Sequence, residues 1–303
     1  MSAYEREALI AMLRSGGPDL AGPPEKAREN FDAMLGAIPV PNDITFETAT
    51  VGGVPGRWST APESLPGRVL LYLHGGAYMV GSSFGYRALS SALARAARAR
   101  GLTLDYRLAP ENPFPAAVDD AVAAYRALLA QGISPGSIAI AGDSAGGGLT
   151  VATLIAARDA GLPMPAAALA LSPWADMAGA GASMSTKAAQ DPQLNREGLL
   201  AMAGLYLNGA SPETALASPI YGNLTGLPPL LIQVGSIEVL LDDAIRLAAR
   251  AAEANVAVQL EVWPGVPHVW HAFAHVLSEG RDAIAAAGAF LAARFEKQQE
   301  TSA

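Results

Sequence analysis

Short apolar runs recur along the chain and are separated by longer segments of mixed polarity. Runs that are apolar at nearly every position are typical of strands buried on both faces of a sheet. The longer segments between the later runs favour helices. The pattern predicts strands at 44–50, 54–59, 69–73, 102–105, 138–141, 167–171, 230–234 and 256–262, and helices at 83–100, 116–131, 146–160, 242–254 and 281–297.

Alternating strands and helices predict an α/β fold with a mostly parallel sheet and helices on both faces. Two segments interrupt the alternation, at 1–41 and at about 174–218. An insertion after the carboxyl end of a strand lies over the edge where open α/β sheets bind ligands. We therefore predict a catalytic domain at 42–303 with a helical cap made of 1–41 and 174–218. The alternative for these segments is a long connection that contains a structural helix.

A Gly-Asp-Ser-Ala-Gly segment at 142–146 directly follows one predicted strand and directly precedes a helix. In that context Gly-x-Ser-x-Gly predicts a nucleophile elbow, a turn so tight that only glycine fits beside the serine. A second match, Gly-Ser-Ser-Phe-Gly at 81–85, lies well beyond the nearest strand and is interpreted as a loop. Ser144 is therefore the candidate nucleophile.

A serine hydroxyl needs a base, and the base needs an acidic partner. His268 lies in a Pro- and Gly-rich loop after the strand at 256–262, on the same predicted sheet edge as Ser144. In a fold with a nucleophile elbow of this kind, the acid lies between the serine and the histidine in the chain. Glu238, in the loop after 230–234, is the preferred acid. Asp242 and Asp243 remain alternatives, although their position at a helix start also suits capping.

The two histidines that follow His268 in the chain are interpreted as structural. His271 and His275 are predicted to open the helix after His268, as surface or packing residues. His268, His271 and His275 have the spacing of one helix face and could suggest a metal site. A His-Glu-x-x-His pattern is absent, however, and no carboxylate lies among them, so we predict no metal.

The oxyanion of a tetrahedral intermediate needs preorganised N–H donors. A His-Gly-Gly-Ala-Tyr segment at 74–78 follows the strand at 69–73. We predict the backbone N–H groups of Gly75, Gly76 and Ala145 as the oxyanion hole.

The amino-acid composition and the net charge argue against several classes of function. Hydrophobic residues make up 51% of the 303 positions, and the net charge is −8. An acidic chain without basic runs gives no reason to expect nucleic acid or an anionic membrane surface. There are no cysteines, which excludes disulfides and thiol catalysis. No signal-peptide pattern and no apolar run of membrane-spanning length is present, so we expect a soluble cytoplasmic protein without a cofactor.

Several motifs together resemble the hormone-sensitive-lipase-like group of α/β hydrolases, also called family IV bacterial esterases. These are the segments at 74–78, 105–111 (Asp-Tyr-Arg-Leu-Ala-Pro-Glu), 113–117 (Pro-Phe-Pro-Ala-Ala) and 142–147, with the acid and histidine loops. The chain departs from the family at Ala77, where a third glycine is frequent, and at Glu238-Val239-Leu240, where Asp-Pro-Leu is frequent.

The resemblance implies a serine carboxylesterase with an N-terminal cap, acting on short-acyl, small uncharged esters. It also implies a possible homodimer, and structural roles for Asp105, Arg107 and Glu111 behind the elbow. An amidase or arylformamidase and a non-catalytic ligand receptor on the same scaffold are the alternatives. Retention of Ser144, His268 and an acid argues against the receptor.

Overall fold

The computed structural model describes residues 2–18 and 22–300. Met1 and residues 19–21 of the predicted cap segment lie outside this range. The strands are β1 Thr45–Val51, β2 Val54–Thr60, β3 Val69–Leu73, β4 Arg100–Leu104, β5 Ile138–Asp143, β6 Ala167–Leu171, β7 Leu230–Gly235 and β8 Val258–Trp263. The helices are α1 Ser2–Arg14, α2 Pro24–Gly36, α3 Arg87–Ala96, α4 Ala116–Ala130, α5 Ala145–Asp159, α6 Ser183–Thr186, α7 Arg196–Leu207, α8 Leu241–Glu253 and α9 Ser278–Glu300.

The strands form one sheet in the order β1-β2-β4-β3-β5-β6-β7-β8. β2 runs antiparallel to both of its neighbours, and every pair from β4 to β8 is parallel. The predicted mostly parallel sheet is therefore confirmed. Its carboxyl edge collects the loops after β3, β5, β6, β7 and β8, which contain the candidate site residues.

Alternate residues of the central strands enter two cores. In β3, Leu71 belongs to the core shared with α4, α5 and α8, whereas Leu70 belongs to the core shared with α3 and α9. All residues of β3, β5, β6 and β7 are buried, which explains why these strands are apolar at consecutive positions. The sheet is thus covered by helices on both faces, as predicted.

The predicted helix at 83–100 is too long. α3 ends at Ala96, and β4 begins at Arg100, two residues before the predicted strand. Arg98 adopts a left-handed conformation with φ of 55°, which ends the helical geometry. A Cβ on Gly101 would lie 2.5 Å from Ser59 Oγ and 3.0 Å from Ala94 Cβ. The glycine therefore lets β2 and α3 pack directly on β4, a contact that local sequence does not reveal.

The helices α1 and α2 lie in the segment 1–41, and α6 and α7 lie in the insertion 174–218. α1 is held against α9 by the ion pair between Arg6 and Glu279 and by Glu5, which accepts hydrogen bonds from the Ser278 backbone and hydroxyl. Within the described part of the chain, no helix has the length and apolar character needed to cross a bilayer.

Candidate active site

Ser144 lies at the sharp turn between β5 and α5. Its φ of 53° and ψ of −121° are sparsely populated for a non-glycine residue and mark local backbone strain. A Cβ on Gly142 would lie 2.2 Å from Gly146 O, and one on Gly146 would lie 1.9 Å from Leu73 O. Only glycine fits at these two positions. The Ser144 side chain makes no capping bond to α5, and the residue is partly exposed between buried neighbours.

Glu238 and His268 meet in the loops after β7 and β8. His268 Nδ1 lies 2.8 Å from Glu238 Oε2. The second carboxylate oxygen, Oε1, accepts hydrogen bonds from Ser172 Oγ at 2.7 Å and from the Gly235 N–H at 2.6 Å. Three donors thus fix the Glu238 carboxylate, which in turn orients the imidazole. Nε2 of His268 is the ring nitrogen that remains for a reacting group.

The oxyanion loop, residues 74–80, follows β3. The predicted donor Gly75 is engaged elsewhere, because its N–H donates to Asp143 Oδ1 at 3.0 Å. The prediction of Gly75 as an oxyanion donor is therefore wrong in this structure. Among the residues that the structure describes, no acceptor binds the N–H of Gly76 or of Ala77. Both residues are partly exposed, with φ values of 107° and 53°.

Comparison with known proteins identifies the family. A family model described as the alpha/beta hydrolase fold matches residues 70–272. An acetyl-hydrolase of Streptomyces hygroscopicus is 54% identical over 267 residues, covering 88% of this chain and 87% of the relative. The crystal structure of an esterase from the bacterial hormone-sensitive lipase family superposes with a TM-score of 0.93 at 50% identity, covering 96% of this chain and 98% of the other.

The chain belongs to the hormone-sensitive-lipase family of α/β hydrolases. The crystal structure of EstE5 soaked with p-nitrophenyl butyrate superposes with a TM-score of 0.92 at 47% identity, over 96% of this chain and 99% of the other. Membership at this level of similarity makes the chain a carboxylic ester hydrolase.

Burial and neighbouring carboxylates compete at His268. Burial lowers the pKa of His268, but the hydrogen bond and charge of Glu238 raise it, and the charges of Asp191 and Asp143 add to that effect. The net pKa lies above the ordinary histidine value. Such an imidazole is well suited to take a proton from a hydroxyl group, because the resulting imidazolium is stabilised by its carboxylate partner.

Asp143 joins the nucleophile elbow to the oxyanion loop. Besides the Gly75 N–H, its Oδ1 accepts from Tyr72 OH at 2.7 Å and its Oδ2 accepts from Tyr86 OH at 3.2 Å. Burial raises the pKa of Asp143 to about 6, against the effect of these donors. Asp143, which lies between Gly142 and Ser144 in the Gly-x-Ser-x-Gly segment, therefore fixes Gly75, a residue 68 positions earlier in the chain.

His74 supports the same loop as a neutral ring. It is stacked between Tyr106, at 4.3 Å between centroids, and Tyr86, at 5.3 Å. Burial lowers the pKa of His74 to about 4, so at pH 7 one ring nitrogen carries a proton. Nδ1 lies 2.7 Å from Gly75 O, and Tyr106 OH donates to His74 O at 2.6 Å. The rings thus hold the first peptide groups of the oxyanion loop.

The alternative acids bind the insertion instead of a histidine. Asp242 Oδ2 accepts from the Ser183 N–H at 2.8 Å, and Asp243 Oδ2 accepts from the N–H groups of Ala175 and Asp176, both at 2.9 Å. Burial, with a contribution from the Asp176 charge, raises the pKa of Asp243 to about 8. Both aspartates therefore attach the start of α8 to the segment after β6.

His271 does not open a helix. It lies in the 3-10 turn Trp270–Phe273, is buried, and places Nε2 3.0 Å from Gln233 Oε1. Burial, followed by the charge of His268, lowers the pKa of His271 to about 3, so it is a neutral packing residue. His275 is exposed. Within residues 2–18 and 22–300, no three potential ligand side chains form a metal-binding group.

Two residues at the site are missing from the sequence analysis. Ser172 donates to Glu238, and its Oγ accepts from the Val269 N–H at 3.2 Å. Its position directly after β6, on the carboxyl edge, is a signal that could have identified it. Asp191 accepts from the Val239 N–H at 2.9 Å and lies in the insertion. No local signal marks Asp191, since its contact depends on how the insertion folds back.

Proposed function

We propose that this esterase hydrolyses short-acyl esters through Ser144 as nucleophile, His268 as general base and Glu238 as the orienting acid. The observation that carries the proposal is the 2.8 Å contact between His268 Nδ1 and Glu238 Oε2, at the same sheet edge as the strained Ser144 turn. Glu238 has no proton to give to Nδ1 when ionised, so Nδ1 carries the hydrogen and Nε2 presents its lone pair.

The acylation step follows from that tautomer. Nε2 of His268 takes the hydroxyl proton while Ser144 Oγ attacks the ester carbonyl carbon, and the carbonyl oxygen becomes an oxyanion. The tetrahedral intermediate collapses with cleavage of the bond to the alkoxy oxygen, which receives the proton from Nε2 and leaves as the alcohol. Water, activated by the same imidazole, then attacks the acyl-enzyme and releases the carboxylic acid and free Ser144.

The oxyanion hole in this proposal consists of the N–H groups of Gly76, Ala77 and Ala145. Ala145 is the first residue of α5, where N–H groups have no partner inside the helix and the helix dipole favours negative charge. The side chain of Ala77 does not affect this role, because the donor is its backbone. Preorganised N–H donors of this kind contribute about 10²–10³-fold each to turnover.

We further propose a preference for short acyl chains and a cap made of 1–41 and 174–218, and aromatic side chains of the insertion support the short-acyl preference. Tyr78, in the oxyanion loop, stacks on Tyr206 of α7 with centroids 3.8 Å apart. The ring centroid of Trp174 lies 6.4 Å from that of Tyr78, and the backbone N–H of Trp174 donates to Ser144 O. These buried rings fill the space between the elbow and the insertion. The butyrate ester soaked into EstE5 is of matching chemistry.

The experiment is hydrolysis of p-nitrophenyl esters of increasing acyl length. We expect kcat/KM to be highest for acetate to butyrate esters and to vanish in Ser144→Ala. Tyr206→Ala should extend the range to longer acyl chains, whereas Tyr206→Phe keeps the ring and should leave the profile unchanged. A p-nitroanilide of the preferred acyl group measures amidase activity in parallel. Maximal activity on long-chain esters in the wild type contradicts the short-acyl proposal.

A homodimer and a cytoplasmic location stay predictions. β8 is an edge strand of the sheet, and such a strand offers backbone groups to a second copy. Light scattering on the purified protein measures the mass and decides between monomer and dimer.

A further inference from the structure

Two side chains of α2 contact the end of the oxyanion loop and the residues directly after it. Arg28 and Asp32 are one helical turn apart and therefore share a face of α2. Arg28 Nε donates to Met79 O at 3.0 Å, and Asp32 Oδ2 accepts from Ser82 Oγ at 2.6 Å. The helix thus holds the loop at two points three residues apart.

Arg28 also binds the loop after β4. Its Nη2 donates to Ala109 O at 2.9 Å, and its two terminal nitrogens bind the two oxygens of Glu111 at 3.2 and 2.6 Å. The Ala109 N–H in turn donates to Tyr78 O at 2.9 Å. The guanidinium of Arg28 therefore joins the oxyanion loop to the loop after β4, and the hydrogen bond between Ala109 and Tyr78 joins the same two loops directly. A planar group with several donors is well suited to such a junction.

The turn that Arg28 holds sets the direction of a proposed oxyanion donor. The N–H groups of Met79 and Val80 donate to Gly76 O at 2.9 and 3.0 Å. Gly76 C=O and Ala77 N–H belong to one planar trans peptide, so they point in opposite directions. With the carbonyl bound inside the turn, the Ala77 N–H points out of it. The Met79 N–H is therefore one of the two donors that fix the orientation of this peptide plane.

We propose that Arg28 is a positioning residue for the oxyanion hole, acting through Met79 on the Gly76–Ala77 peptide. The proposal rests on the oxyanion donors named above. Under it, the segment 1–41 contributes to turnover itself, in addition to covering the acyl pocket. Arg28 touches neither substrate nor reacting atoms, and its effect passes through the backbone of the loop.

The test compares Arg28→Ala with Arg95→Ala. Arg95 is a matched control, because its guanidinium is likewise held by carboxylates, those of Asp43 and Glu63, and its side chain is 29% exposed against 24% for Arg28. It lies away from the oxyanion loop. Arg28→Lys keeps the charge, but a single ammonium nitrogen cannot occupy the three separate positions from which Nε, Nη1 and Nη2 bind the two carbonyls and Glu111.

With p-nitrophenyl butyrate, Arg28→Ala should lower kcat about 10- to 100-fold with little change in KM, the scale of a displaced donor. Arg28→Lys should fall between it and the wild type, and Arg95→Ala should keep the wild-type kcat. An alkyl boronic acid forms a tetrahedral adduct with the nucleophile, so its inhibition constant should rise in Arg28→Ala in parallel with the loss of kcat. Melting temperatures separate this from general destabilisation.

Wild-type kcat and boronic acid affinity in folded Arg28→Ala overturn the proposal. An equal loss of kcat in Arg95→Ala also overturns it, since the effect is then not specific to the loop. If Arg28→Ala does not fold, the same criteria apply to Arg28→Lys. Ser144→Ala, assayed alongside, separates the two proposals. Turnover close to the wild-type value in Ser144→Ala refutes the proposed function, whereas an inactive Ser144→Ala with fully active Arg28 variants refutes only the positioning role.

Discussion

Replacing Glu238 with glutamine gives the sharpest test of the catalytic acid, because the structure dictates how the amide must sit. The Gly235 N–H donates to Oε1 at 2.6 Å and cannot turn away. An NH2 group at that position would face another donor, so the amide oxygen has to occupy the Oε1 site. The NH2 group then lies against His268 Nδ1, where Oε2 was at 2.8 Å.

That arrangement reverses the tautomer of His268. With an NH2 group facing it, Nδ1 must accept a hydrogen bond, and the ring proton moves to Nε2. A protonated Nε2 cannot take the hydroxyl proton of Ser144. Loss of the correct tautomer costs about 10³–10⁴-fold in turnover in Ser-His-Asp enzymes, which corresponds to about 4–5.5 kcal/mol of transition-state stabilisation. The side chain keeps its volume, so the melting temperature should stay close to the wild-type value.

The pH profile supplies a second measure with a defined sign. Catalysis needs neutral His268, so kcat/KM falls as the pH drops through the His268 pKa. Glu238 raises that pKa by its hydrogen bond and charge. In Glu238→Gln both contributions are lost, and the acid limb of the remaining activity should move to lower pH.

The assay is hydrolysis of p-nitrophenyl butyrate across pH 4 to 9 (about the range in which His titrates), with Asp242→Asn as control. Asp242 binds the Ser183 N–H and makes no contact with His268, so this variant should keep most of its turnover. Full activity in Glu238→Gln together with an inactive Asp242→Asn refutes the reasoning and moves the acid to the start of α8.

Ser144→Ala should lower turnover by about a million-fold, whereas Ser83→Ala, in the second Gly-x-Ser-x-Gly match, should remain active in the same ester assay. The reverse result would assign the nucleophile to Ser83. His268→Ala should be nearly as damaging as Ser144→Ala. His271→Ala should retain turnover but lose roughly 1–3 kcal/mol of unfolding free energy, because it leaves a buried amide oxygen unpaired; denaturant titration measures this, and an inactive but stable variant contradicts it. The pKa of Asp243 is raised to about 8, so the folded state holds a proton that the unfolded state releases near pH 4. Stability should therefore fall as the pH rises from about 4 to 8, and Asp243→Asn should flatten this fall in unfolding titrations; an unchanged slope means the group does not titrate there.

The sequence by itself determined the features that depend on neighbouring residues. Gly142 and Gly146 specify the elbow because any Cβ there meets backbone within the same turn or in the adjacent strand. Consecutive apolar residues specify the central strands because both faces of the sheet are covered. The order of strands then brings the loops with Ser144, Glu238 and His268 to one edge, since the carboxyl ends of parallel strands coincide there.

Element ends were less accessible from sequence. The limit of α3 depends on Gly101 meeting Ser59 across the sheet and Ala94 in the preceding helix. The burial of His271 depends on Gln233, which is 38 positions away. Local sequence patterns do not indicate such distant partners, which is why they place His271 at the start of a helix and the structure does not.

Only the tertiary structure decided which backbone donors are free and what holds them. Gly75 and Gly76 are equivalent in the sequence, but Asp143 reaches across from β5 and takes the N–H of Gly75. Arg28 and Met79 are 51 positions apart, and nothing local to either predicts their contact. Catalytic side chains can be recognised by type and spacing, whereas the direction of an N–H group follows from hydrogen bonds between distant segments, which exist only once the chain has folded.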